Sequence, residues 1–154
     1  MLHPKYKITQ EMKIINGKEL FRIRALKSFG SVRAGDIGGF VETDHNLSHD
    51  GLCWLFDNSS LHDTSWVDGN ASLHGRASLH DNASLHDNAS MHDDASLHDN
   101  SWMNGNSHIH DTASLHDYST MHDRASLYDD ASLHGDDSLC GDSRLRGRLG
   151  MPTP

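Results

Sequence analysis

The chain is poor in the residues that build an ordinary globular core. Aromatic residues make up 6% and apolar residues 35% of its 154 residues, so a conventional two-layer core would be thin. Intrinsic disorder is the usual alternative for such a polar chain, but the regular aliphatic spacing described below argues against it. Residues 1–7 are charged and contain no apolar run. We therefore expect neither a signal peptide nor a membrane span.

Basic residues are scarce beyond residue 52. Residues 1–52 contain eight Lys and Arg against six Asp and Glu, a net charge of +2. Residues 53–148 contain five Arg against sixteen Asp, a net charge of −11, and the two values add to the −9 of the whole chain. A strongly acidic surface repels nucleic acid and anionic membranes. We expect neither as a partner, whereas a basic protein surface or cations would suit this charge.

The chain is rich in one six-residue repeat. Sixteen consecutive hexads run from Cys53 to Arg148, and the commonest reads Ala-Ser-Leu-His-Asp-Asn. The fifth position is Asp or Gly in all sixteen hexads. The third position is always aliphatic: Leu55, Leu61, Val67, Leu73, Leu79, Leu85, Met91, Leu97, Met103, Ile109, Leu115, Met121, Leu127, Leu133, Leu139 and Leu145. An unbroken period of this kind is typical of a solenoid.

Each hexad predicts a short strand followed by a corner. Side chains alternate along a strand, so positions one and three share one face and positions two and four share the other. Asp, Asn and Gly at positions five and six favour bends and tolerate positive φ. Three such sides close a triangular coil of about eighteen residues, and stacked coils pair as parallel strands around an aliphatic interior. An amphipathic helix does not fit, because six residues turn through about 600° and do not return to one face.

The two cysteines are too far apart to form a disulfide. Cys53 and Cys140 would lie nearly five coils apart, roughly 23 Å at one strand spacing per coil, which exceeds the reach of a disulfide. Such thiols are typical of a reducing compartment. We therefore expect a cytoplasmic protein.

The first fifty residues do not repeat. Asn16-Gly17 is a strong two-residue hairpin signal between alternating runs, and predicts an antiparallel hairpin or three-stranded unit. A solenoid needs such a cap, because an open coil exposes unpaired backbone groups. Residues 40–42 are expected to be the first strand at the edge of the solenoid. The predicted division is a β cap at 1–46, the repeat helix at 47–148 and a C-terminal tail at 149–154.

Four segments carry a resemblance to a known family: Leu20–Lys27, Ala34–Glu42, Asn46–Trp54 and Asp57–Asn58. With the hexads, they resemble the hexapeptide-repeat-like, left-handed parallel β-helix proteins of phages and bacteria, in the YdcK-like group, over residues 20–148. The resemblance implies an all-β chain, a single-stranded, left-handed, triangular β-helix with an N-terminal β-hairpin cap. The left hand comes from this resemblance and not from the spacing. Dimers and trimers are common among proteins of this fold, and members often carry a transferase label.

A column of histidines is the first candidate site. Stacking by eighteen residues aligns five fourth positions, with four corner aspartates beside them. These residues are His62, His80, His98, His116 and His134, beside Asp63, Asp81, Asp99 and Asp117. Imidazole and carboxylate bind Zn, Cu or Ni, so the histidines are candidate metal ligands; repeated copying of one surface hexad is the alternative interpretation. We predict no firm cofactor, and adventitious Zn or Ni binding under either interpretation.

The tryptophans indicate a contact surface. Trp66 and Trp102 are two coils apart on one predicted face, with Ser84 between them. Exposed tryptophan is enriched where proteins bind partners. We therefore predict a partner-binding surface from these two residues and the acidic corner of Asp63, Asp81, Asp99 and Asp117. Ser and His two residues apart, as in Ser78 and His80, are repeated and exposed, and are not expected to be nucleophile–base pairs.

The sequence favours a non-catalytic β-helical structural or interaction protein, and the resemblance implies that a phage or prophage encodes it. It would bind a protein partner through its acidic repeat surface, or associate with itself as a dimer or trimer, in the host cytoplasm. One alternative is a hexapeptide-repeat transferase of the acyltransferase type, although proteins of that class usually carry a loop insertion that the hexads lack. The other alternative is a His-rich metal-binding rod.

Overall fold

The computed structural model describes residues 4–147, and nearly all of its regular structure is β. Three strands come first: β1 (Tyr6–Ile15), β2 (Lys18–Ala25) and β3 (Ile37–Val41), followed by a short 3₁₀ turn at Asp44–Asn46. Two-residue strands then recur every six residues: β4 (Trp54–Leu55), β5 (Ser60–Leu61), β6 (Trp66–Val67), β7 (Ser72–Leu73), β8 (Ser78–Leu79), β9 (Ser84–Leu85), β10 (Ser90–Met91), β11 (Ser96–Leu97), β12 (Trp102–Met103), β13 (His108–Ile109), β14 (Ser114–Leu115), β15 (Thr120–Met121), β16 (Ser126–Leu127), β17 (Ser132–Leu133), β18 (Ser138–Leu139) and β19 (Arg144–Leu145). The predicted tail at 149–154 lies outside the described residues.

The strands form three sheets that run along the rod. The first sheet has the order β1-β2-β3-β5-β8-β11-β14-β17, the second β4-β7-β10-β13-β16-β19 and the third β6-β9-β12-β15-β18. Parallel pairing joins residues eighteen apart, such as Leu79 with Leu97 and Leu97 with Leu115. The chain is therefore a parallel β-helix of about 6 turns with about 18 residues per turn, which confirms the predicted coil. The left hand stays a prediction, because this pairing pattern is the same for either hand.

The third positions of the hexads form the core. Leu79, Leu97 and Leu115 are 0% exposed, and so are the small first-position residues Ala77 and Ala95. A small residue fits between the leucines because three walls converge inside the triangle. Each fully buried leucine contributes about 1.5–3 kcal/mol, so the column of aliphatic residues is the main source of stability.

The corners use aspartate in a backbone conformation that most residues avoid. The corner residues Asp63, Asp81, Asp99 and Asp117 have φ between 57° and 60°, in the left-handed region that glycine, asparagine and aspartate tolerate best. Their Oδ2 atoms accept hydrogen bonds from the backbone N–H of the corner residue one coil later, at 3.0, 3.1, 2.9 and 2.8 Å. Each corner carboxylate therefore ties its coil to the next one.

The N-terminal hairpin leads into the helix through β3. Asn16 and Gly17 have φ of 51° and 78° and join the antiparallel strands β1 and β2, which confirms the predicted hairpin. Strand β3 is antiparallel to β2 but parallel to β5, with Phe40 opposite Ser60 and Val41 opposite Leu61. The predicted first edge strand is therefore also confirmed.

Side chains of the cap satisfy the carbonyl groups at the open end of the first coil. Lys5 is 0% exposed, and its Nζ donates to the carbonyl of Cys53 at 2.6 Å. The side-chain amide of Asn46 donates to the carbonyl of Ser65 at 2.9 Å, and the Tyr6 hydroxyl donates to the carbonyl of Leu47 at 2.6 Å. Burial lowers the pKa of Lys5 and raises the pKa of Tyr6. The cap thus replaces the hydrogen bonds that a preceding coil would have made.

The two roles of the corner aspartate can be separated by substitution. Asp81→Gly removes the acceptor for the Asp99 amide but keeps a residue that tolerates positive φ. Asp81→Ala removes the same acceptor and also places a Cβ in the left-handed region, which costs about 1 kcal/mol more. We expect urea unfolding to rank the free energy of unfolding as wild type, then Asp81→Gly, then Asp81→Ala. Asp81→Asn, which keeps an acceptor oxygen, is the control and should remain near wild type. Equal stability of the alanine and glycine variants would contradict this account.

Candidate functional site

The five predicted metal ligands form one column on the outer face of the first sheet. The rings of successive histidines, from His62 to His134, stack with centroids 5.0, 5.0, 5.2 and 5.8 Å apart. This geometry confirms that side chains eighteen residues apart share a column. His62 is only 4% exposed, because Lys13, Ile15 and Asn16 of the hairpin line the groove above it. Its Nδ1 lies near the carboxylate of Asp63 but forms no hydrogen bond with any of residues 4–147.

Each histidine of this column except His134 also contacts the corner aspartate that follows it. The Nδ1 to Oδ2 distances are 3.2, 3.3, 3.4 and 3.4 Å in the pairs His62–Asp63, His80–Asp81, His98–Asp99 and His116–Asp117. Three groups bring their ligand atoms within 4.8 Å of one another: His62–Asp63–His80, Asp81–His98–Asp99 and Asp99–His116–Asp117. An imidazole lone pair lies in the plane of its ring, so parallel rings direct their lone pairs side by side. A metal ion shared by two of these histidines therefore requires one ring to turn out of the stack.

A further group of possible metal ligands lies on the third sheet. His122, Asp123 and Cys140 also bring one ligand atom each within 4.8 Å of the others. A thiolate is not bound to a ring plane, so Cys140 has more freedom to meet the lone pair of His122. His122 and Cys140 are eighteen residues apart at fourth positions of their hexads, so the repeat spacing was the signal for this group, which the predicted metal site on the first sheet does not include.

The predicted contact residues Trp66 and Trp102 lie on one face, as expected, with Ser84 in register between them. Trp102 is 37% exposed. Trp66 is half-buried, and its indole Nε1 donates to Oδ2 of Asp68 at 2.8 Å. The acidic corner that begins at Asp63 lies between β5 and β6, so it forms the border between the histidine column and this tryptophan face.

The third sheet also holds a hydrogen-bonded network that sequence reasoning missed. Asp68 Oδ1 lies 2.8 Å from His86 Nδ1, and His86 Nε2 lies 2.9 Å from Ser84 Oγ. Trp66 bonds the second carboxylate oxygen of Asp68. A signal was available in the sequence, because Asp68 occupies a fourth position where the commonest hexad has histidine. Because Asp68 and His86 are eighteen residues apart, the repeat places them in one column on successive coils.

No protein-family model matches this sequence, and the search of curated proteins finds no match. Among residues 4–147, no helix is long and apolar enough to cross a membrane.

Three histidines and two aspartates have shifted pKa values. Burial is the main cause of the lowered pKa of His74, His80 and His92, and neighbouring imidazoles add to it. The Lys18 ammonium, 2.8 Å from the carboxylate of Asp63, is the main cause that lowers the pKa of Asp63 to about 2. The amide of Asp117 lowers the pKa of Asp99. All five groups therefore bind protons less readily in the folded chain than in the unfolded chain.

Acidification should destabilise the fold in the range where histidine titrates. Unfolded histidines take up protons as the pH falls through 6.5, the ordinary value, whereas folded His80 and His92 resist protonation. Stability is thus greatest above that value and is lost below it. We expect calorimetry to show a melting temperature that falls from about pH 7 to about pH 5.

The matched variants for this measurement are His80→Gln with His92→Gln, and His45→Gln as the control. The double variant should flatten the slope because it removes two of the groups responsible. The control changes an exposed histidine of the 3₁₀ turn and should keep the slope. A melting temperature that stays constant from about pH 5 to about pH 8 would show that the histidines are not coupled to folding.

Proposed function

We propose that the chain is a β-helical interaction protein that binds a basic protein through the acidic surface of its coils. The observation that carries this proposal is the row of corner carboxylates at Asp63, Asp81, Asp99 and Asp117. One oxygen of each is held by the backbone amide of the next corner. The charges are therefore repeated at one strand spacing, about 4.8 Å.

Fixed charges of this kind suit the recognition of a basic partner. Because the carboxylates are already held in place, they lose little conformational freedom when a partner binds. The second oxygen of Asp81, Asp99 and Asp117 is left for lysine or arginine side chains of the partner, whereas that of Asp63 contacts Lys18. A row of like charges also speeds the approach of an oppositely charged protein and makes its binding sensitive to salt.

Trp102 supports the same surface from the adjacent face. It is an exposed large apolar residue beyond the acidic corner, and an indole ring attracts the guanidinium or ammonium group of a basic side chain. Trp66 is the weaker candidate, because Asp68 already engages its indole N–H. The partner surface that we propose therefore consists of the corner carboxylates and Trp102.

We also propose a genetic origin, a cellular compartment and a mode of self-association for the chain. A hairpin cap followed by an uninterrupted β-helix fits the resemblance to the phage and bacterial YdcK-like group, so we propose a phage or prophage origin and action in the host cytoplasm. The acidic faces of two or three copies repel one another, so they could pack together only with a basic molecule between them. Self-association as a dimer or trimer would therefore use another face of the rod.

Affinity capture from an extract of the source organism tests the proposed partner. The bait is the full chain, compared with the triple variant Asp81→Asn, Asp99→Asn and Asp117→Asn. Asparagine keeps an acceptor for the corner amide but removes the charge. We expect a basic protein to bind wild type at low salt, to elute as salt rises, and to be lost from the triple variant.

The control for the capture makes the same change of charge elsewhere on the rod. It replaces the exposed sixth-position residues Asp94, Asp130 and Asp142 with asparagine. This variant should retain the partner if the corner row is the binding surface. Recovery of the same proteins by wild type and both triple variants would show that the corner row recognises no particular partner.

A second candidate function is metal binding, favoured by the His–Asp groups of the first sheet. We propose that Zn²⁺ or Ni²⁺ binds where a histidine ring turns out of the stack toward its aspartate. Titration calorimetry with each ion should then give stoichiometric heat that is lost in the variant His80→Gln with His98→Gln. Weak heat without stoichiometry, equal in that variant, would mean adventitious binding.

A further inference from the structure

We propose that Ser84, His86 and Asp68 act together as a nucleophile, a general base and its positioning group that cleave carboxylic esters. The hydrogen bonds run in the order that this chemistry needs: Asp68 Oδ1 to His86 Nδ1 at 2.8 Å, and His86 Nε2 to Ser84 Oγ at 2.9 Å. A carboxylate on Nδ1 holds the ring in the tautomer whose Nε2 can accept the hydroxyl proton. This proposal does not depend on the protein partner proposed above.

The array differs from the other Ser–His pairs of the repeat. The pair Ser72–His74 has a longer separation of 3.3 Å, and Ser138 lies 3.2 Å from His122. Ser90 Oγ lies 2.8 Å from His108, but on Nδ1, the nitrogen that a carboxylate occupies in His86. The Nδ1 of His122 lies 3.5 Å from its own following aspartate, which is longer than a normal hydrogen bond. Among residues 4–147, only the His86 ring has both a carboxylate oxygen and a serine hydroxyl within 3 Å of its two nitrogens.

Two departures from the common hexad build this array. Asp68 stands where the commonest hexad has histidine, and Trp66 stands where it has serine. The indole N–H of Trp66 donates to the carboxylate oxygen of Asp68 that His86 leaves free, at 2.8 Å. Trp66 is thus a positioning residue that orients Asp68. The paired strands β6 and β9 carry Trp66 and Ser84, and Asp68 and His86 directly follow these strands.

A shallow trough beside Ser84 offers room for a substrate. Its lining consists of Asp68, Ser84, His86, Asp87, Trp102 and Asn104. Trp102 is in register with Ser84, so an aromatic or acyl group of the ester can pack on its ring. The two carboxylates of the lining favour neutral or cationic esters over anionic ones.

The developing negative charge must be stabilised by a side chain. The backbone N–H groups of Ser84, His86 and Trp102 are already bonded to carbonyls of the next coil, at 3.1, 2.9 and 3.2 Å. The amide group of Asn104, which lines the trough, is the donor that we assign to the oxyanion. A single donor of this kind predicts a modest rate.

The reaction proceeds in two balanced steps. Ser84 Oγ attacks the ester carbonyl carbon while its proton passes to His86 Nε2; the carbon–oxygen bond to the alcohol then breaks, and the alcohol leaves with that proton. Water next attacks the acyl-Ser84 carbonyl, giving one proton to His86. The carboxylic acid is released as the Ser84 oxygen takes the proton back. No other reactant is needed.

Labelling with a fluorophosphonate, which reacts with activated serines, tests the nucleophile directly. Mass spectrometry of the labelled full chain should place the phosphonyl group on Ser84 in preference to Ser72, Ser78 and Ser138. General-base activation contributes about 10²–10⁴-fold, so His86→Gln should slow labelling by about 10²-fold. The labelling rate should rise from acidic to neutral pH, because the imidazole must be unprotonated to accept the hydroxyl proton.

Asp68→His is the informative positioning variant, since it restores the common hexad residue and so preserves the coil. It should slow the labelling of Ser84 and the hydrolysis of p-nitrophenyl acetate, and shift the pH profile. Ser84→Ala measures the background from surface imidazoles, and Ser78→Ala is the matched control that should behave as wild type. The proposal is overturned if Ser84 reacts no faster than Ser78, or if Asp68→His and Ser84→Ala hydrolyse the ester as fast as wild type.

Discussion

The pairing of each coil with the coil eighteen residues later is the constraint on which this molecule depends. The amide of Ser78, for example, donates to the carbonyl of Ala95 at 3.1 Å, so the backbone of one coil is satisfied only by its neighbours. The same register stacks the aliphatic interior and sets the spacing of the outer columns. Carboxylates can approach each other along the corners because each one also accepts an amide hydrogen from the next coil.

Much of this architecture could be predicted because the local rules agree at every hexad. Alternation within the strand buries the third position, and Asp or Gly at the fifth position permits the positive φ of the corner. The hairpin at Asn16-Gly17 follows from equally local turn chemistry. The hydrogen bonds from corner amides to the aspartate carboxylates of the preceding coil were not predicted. The occurrence of both Asp and Gly at the fifth position indicated the left-handed backbone of the corner but not these bonds.

The side-chain network on the third sheet could not be predicted from spacing alone. The eighteen-residue spacing places Asp68 beside His86. The side-chain rotamers then decide whether Asp68 Oδ1 and His86 Nδ1 lie 2.8 Å apart or point away from each other. The burial of His62 depends on hairpin residues that line the same groove, a tertiary contact without a periodic signal. The residues that repeat thus specify the coil and its charge, whereas the departures at Trp66, Asp68 and Trp102 create local chemistry.

Interchangeable coils also determine which changes in length this chain can tolerate. Removing or duplicating eighteen residues leaves the strand that follows in the same sheet. Replication slippage in such a gene can therefore shorten or lengthen the rod by whole coils. A gain or loss of six residues instead moves every later strand to a neighbouring sheet. If the change falls between Asp68 and His86, these two residues no longer lie in one column. The unit of heritable variation for this architecture is therefore three hexads.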